Sequence, residues 1–144
     1  MQRRREDRGD AGFAGVFHLG AVGLGLEHRG VQARQADADG ARLLPLEGTS
    51  VTLPSAVFIE VDHAPPRFGR AALAAYLEGE DGRLMRGLKS TLGSGLINER
   101  TAVGSRAVSF RDVLSQFFGH LRSKLDATQP GLTAATLGRP VHFV

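Results

Sequence analysis

The sequence predicts an α/β layered domain. Three observations carry that reading. A run rich in β-branched residues, AVFIEVD, occupies 56–62. One long apolar helical stripe runs through 109–127, and an extended segment, AATLGRPVHFV, follows at 134–144. A strand, a long helix and a further strand require a crossover connection, which builds layers of helix on sheet.

The elements follow in order. Residues 1–40 are rich in Gly, Arg and Ala and show little periodicity, and a boundary is expected near Gly40. Arg3, Arg4, Arg5 and Arg8 are offset by Glu6, Asp7 and Asp10, so the start reads as a frayed, solvated end. The run 11–26 resembles a signal peptide only weakly, because glycines and His18 interrupt it and no small-residue cleavage site follows. No segment approaches the roughly 18 apolar residues that a membrane span needs, and a cytoplasmic place is expected. Asp37 and Asp39 beside Gly40 read as turn formers. ARLLPLEG (41–48) is a strand that Pro45 confines to an edge or a bulge. Thr52-Leu53-Pro54-Ser55 is an extended turn, because a residue before proline leaves the helical region.

In 56–62, Val57, Ile59 and Val61 alternate with Phe58 and Glu60 as a strand, which His63 to Pro66 breaks. RFGRAALAAYLEGE (67–80) starts extended and becomes helical, with Ala71, Ala72, Ala75 and Tyr76 on one face and Gly79 as the stop. Leu84, Leu88 and Leu92 recur every four residues, so 84–93 reads as a second short helix capped by Gly93 and weakened by Gly87. Residues 97–108 form two short extended pieces around Gly104-Ser105. Ser109 then caps the best helix, with Asp112 near its positive end and Arg122 and Lys124 toward its negative end. Phe110, Val113, Leu114, Phe117, Leu121 and Leu125 make its apolar stripe, and Pro130-Gly131 ends it.

Composition excludes several chemistries. The 144 residues include no cysteine, so disulfides, thiolate metal sites and cysteine nucleophiles are ruled out. The five histidines, His18, His28, His63, His120 and His142, show no metal-ligand spacing, and no G-x-S-x-G elbow is present. Lys89 and Lys124 are the only lysines among 18 basic residues. Arginine excess therefore sets the pI of about 10.2, and a nucleic-acid site would need those charges clustered. Phe110, Phe117 and Phe118 lie at helical spacing and read as core or interface rather than a base-stacking platform.

Five stretches in order then form a pattern: RLLPLEG with TLPSAVFI (52–59), RFGRAAL (67–73), GLKSTLGS (87–94), VSFRDVLSQFFGHLRSKLDA (108–127) and TLGRPVHF (136–143). Together they resemble the first lobe of the ATPase domain of the DnaK-like (heat-shock protein 70) chaperone family, in its YegD-like branch. They cover about 100 of the 144 residues.

The resemblance implies that 41–144 is a partial first lobe of an actin-like, ribonuclease-H-like ATPase domain, a mixed sheet with helices. The family binds ATP and Mg²⁺ between two lobes and grips unfolded peptides through a separate domain. Lys89, in LKSTLG, matches the family's catalytic lysine. Phosphoryl transfer to water needs cationic charge at the γ-phosphate oxygens, which an ammonium supplies.

The family opens with a phosphate loop of the form D-x-G-T-x-x-S, whereas AGFAGVFHLGAVGLGLEHRG (11–30) contains no Asp, Ser or Thr. Gly20, Gly23 and Gly25 fit no phosphate fingerprint, and AVGL (21–24) is expected in the second half of the family's first hairpin. We expect residues 1–20 to be a replaced start, such as an out-of-frame or wrongly initiated segment, and the second lobe and peptide-binding domain to lie beyond residue 144. ATP and Mg²⁺ are then not expected to bind well here. Unfolded peptides or co-chaperones would be met only through those further domains, with no membrane or nucleic-acid partner. The alternative readings are a small interaction module using the apolar face of helix 110–126 and an arginine-rich nucleic-acid binder.

Overall fold

The structure is a computed structural model that describes residues 21–27, 30–37, 40–92 and 94–138. Strands β1 (Ala21–Glu27), β2 (Gly30–Asp37) and β3 (Gly40–Leu44) form an antiparallel meander. Glu27 pairs with Gly30 and Asp37 with Gly40, so two-residue connections join the strands. The boundary expected near Gly40 therefore falls inside a hairpin. Val31, Ala33 and Gln35 alternate into the core while Gln32 and Arg34 are half-buried. A period of two was present before Gly40, but its buried positions include an alanine and a glutamine, which do not register as an apolar run.

The chain leaves the sheet at Pro45 and rejoins it at β4 (Thr52–Leu53), which pairs with Val31 and Gln32 of β2. The strand expected over 41–48 thus stops at Leu44. Beyond it Leu46 is buried, and the backbone N–H groups of Leu46 and Glu47 both donate to the Ser50 carbonyl, at 2.8 and 3.2 Å.

A second antiparallel sheet orders β5 (Ala56–Glu60) between β6 (Arg67–Phe68) and β7 (Gly82–Arg86). Alternation in β5 separates two cores rather than core from solvent. Val57 and Ile59 join the main core, while Ala56 and Phe58 pack against Ala72 and Ala75 of helix α1 (Gly69–Leu77). The buried face of α1 is Gly69, Ala72 and Ala75. Ala71 and Tyr76, expected on that face, are exposed, because small residues three apart allow the closest approach to β5.

The helix expected over 84–93 is not formed. Residues 82–86 are strand β7, paired with β5 along its full length, and a 3-10 turn follows at Leu88–Thr91. Gly87, at φ 65°, separates the two in a conformation that other residues rarely adopt. The four-residue leucine spacing reflects burial by two different elements. The expected cap, Gly93, lies outside the described residues.

A further 3-10 turn (Gly95–Asn98) leads into a hairpin of β8 (Arg100–Val103) and β9 (Arg106–Ser109), turning at Gly104-Ser105 as the sequence predicts. Helix α2 (Phe110–Thr128) starts where the cap predicts: the Ser109 hydroxyl accepts from the Asp112 N–H at 3.1 Å. Such a cap contributes about 1 kcal/mol. Val113, Leu114, Phe117, Leu121 and Leu125 are buried and Phe110 is half-buried. Their partners include Leu24, Val31 and Leu44 of the first sheet and Val57 and Met85 of the second. The last turn of α2 is tied down where the Thr128 hydroxyl donates to the Pro45 carbonyl at 3.1 Å and Arg42 donates to Gln129 at 3.1 Å.

From α2 the chain enters β10 (Ala134–Gly138), which lies parallel to β1. The first sheet is therefore mixed, in the order β10-β1-β2-β3. Residues 139–144 of the expected closing strand lie outside the described residues. The architecture is mixed α/β, and among the described residues no helix is long and apolar enough to cross a membrane.

Candidate functional site

Lys89 lies in the 3-10 turn Leu88–Thr91, and its side chain lies outside what the structure describes. The backbone around it is well held. Leu88 and Thr91 on either side are 3% and 5% exposed, and Leu88 belongs to the main core. The Thr91 carbonyl accepts from both the N–H and the hydroxyl of Ser94, at 3.4 and 3.0 Å. The following turn is fastened to α2, where Arg111 donates to the Asn98 amide oxygen at 2.9 Å and the Phe110 N–H donates to the Glu99 carbonyl at 3.1 Å. A lysine carried by a turn with buried anchors on both sides has its backbone positioned before any ligand arrives.

The glycine-rich segment does not assemble a phosphate cradle in its described part. AVGL forms the start of the first strand of the β1–β2 hairpin, not its second half. Only His28 and Arg29 stand between the paired Glu27 and Gly30. Strand β1 also has neighbours on both sides: Gly23 is paired with Arg34 and Thr136, and Gly25 with Gln32 and Gly138. An anion nest needs successive backbone N–H groups turned toward one point, whereas those of a central strand are shared between two ladders. Gly20 lies outside the described residues.

Among the described residues no three His, Asp or Glu side chains gather as a metal group. His18, His28 and His142 lie outside the described residues, and His63 is exposed. His120 is half-buried on α2, and its ring stacks on Phe68 with centroids 4.5 Å apart and planes 18° from parallel. Burial holds its pKa below the ordinary 6.5, Lys124 pushes it the same way, and Glu47 opposes them.

The folded state binds the His120 proton less readily than the unfolded state, so stability from this group is complete above 6.5 and falls as pH drops through the unfolded value toward the lower folded one. Urea midpoints measured between pH 7 and pH 5 will fall for the wild type, and His120→Phe, which keeps a stacked ring, will flatten that part of the profile. An unchanged profile in the variant would assign the dependence elsewhere.

Arg67 bridges Glu60 and Glu80, at 2.7 Å each, and Arg70 pairs with Glu47. One concave feature among the described residues is a mainly apolar cleft of about 280 Å³ between α2 and the β1–β10 side of the first sheet. Leu24, Phe118, Leu121, Leu125, Leu132 and Ala135 line it, and the Lys89 turn does not. Sequence reasoning placed Phe118 in core or interface, and it lies at the cleft wall. The cleft itself had no sequence signal, because it depends on which face of α2 meets β10. No protein-family model matches this chain and no curated protein matches it at a significant level, so the likeness to DnaK-like ATPases rests on the five stretches of sequence.

Proposed function

We propose that residues 41–144 are part of the first lobe of an actin-like ATPase domain of the DnaK-like chaperone family, and that this chain by itself hydrolyses no ATP. The supporting observation is the crossover: α2 carries the chain from the β8–β9 hairpin back to β10, parallel to β1. A mixed sheet closed by a long helix is what a ribonuclease-H-like half would supply. The anchored turn of Lys89 is the second support, since a γ-phosphate contact needs a lysine held at a fixed place.

The described residues do not fit the phosphates of a nucleotide, because β1 lies between two strands and offers no Asp, Ser or Thr. No catalytic step is therefore assigned to ATP or Mg²⁺ on this chain. Unfolded peptides and co-chaperones would be bound elsewhere in such a protein, and its place would be the cytoplasm.

Two measurements test this. The purified chain with Mg-ATP will release no phosphate above the buffer rate, and turnover abolished by Lys89→Ala would overturn the inactive reading. The encoding DNA tests the replaced start: an alternative frame specifying a D-x-G-T-type loop across residues 1–20 is expected, and its absence removes that part of the reading.

A further inference from the structure

We draw no further inference here: the strongest candidate, the mainly apolar cleft between α2 and the β1–β10 side of the first sheet, carries nothing because nothing in the structure shows what covers it.

Discussion

Phe117→Ala is expected to cost about 3–5 kcal/mol, the usual loss for truncating a buried phenylalanine. The ring is 1% exposed and occupies the middle of the α2 stripe. It packs near Phe68, with centroids 6.4 Å apart, and meets the adjacent Phe118 edge-on at 6.0 Å. Because α2 is shared between the two sheets, the cavity would open where they are held together. A domain of this size has only about 5–15 kcal/mol to lose, so the variant should sit close to unfolding at room temperature. Phe118→Ala is the control. Its ring is half-buried at the cleft wall, so its loss should be about half as large or less. Urea melts followed by far-ultraviolet circular dichroism would decide. Equal losses for the two variants would mean that Phe117 does not hold the sheets together.

Gly69→Ala is expected to be the most damaging change in α1, although alanine is the better helix former. Gly69 opens the helix at φ 62°, a conformation that costs other residues about 1–3 kcal/mol. A Cβ there would also collide with the Glu47 carboxylate and with the Leu53 side chain. The N-cap residue Phe68 supplies no side-chain acceptor, and Glu47, from the turn before β4, takes that role at the first turn of α1. Its Oε2 accepts from the Arg70 N–H at 3.0 Å and its Oε1 accepts from the Arg70 guanidinium. Arg70 in turn donates to the Thr52 carbonyl at 2.8 Å and the Thr52 hydroxyl at 3.1 Å, so displacing Glu47 loosens β4 as well.

Backbone strain and the lost cap together should remove about 2–4 kcal/mol. Glu47→Gln, which keeps the shape and an acceptor, should cost about 0.3–1 kcal/mol, the worth of one charge at a helix end. A Gly69→Ala protein with wild-type stability and an unchanged denaturant slope would refute the steric account.

Elements stated by neighbouring residues were legible from the sequence. The Ser109 cap and the stripe from Val113 to Leu125 lie within one helix, and Gly104-Ser105 with its flanks makes one hairpin. The resemblance to DnaK-like ATPases singles out Lys89 by sequence alone, and the fold adds that its turn is flanked by buried Leu88 and Thr91. Residues 84–93 show the opposite case. Leucines four apart describe a helix to any local reading, yet Arg83, Leu84, Met85 and Arg86 face partners in β5 and are held extended by that ladder.

The alternating burial of Val31, Ala33 and Gln35 was invisible for a related reason: alanine and glutamine become core residues only where a sheet and α2 close over them. Caps, periods and turns depend on residues within a few positions of each other, so they can be read along the chain. Strand partners depend on which face and which edge arrive from far along the chain. The pairing of Ala21 with Ala134, and with it the mixed sheet and the cleft, therefore emerges only once the chain has folded.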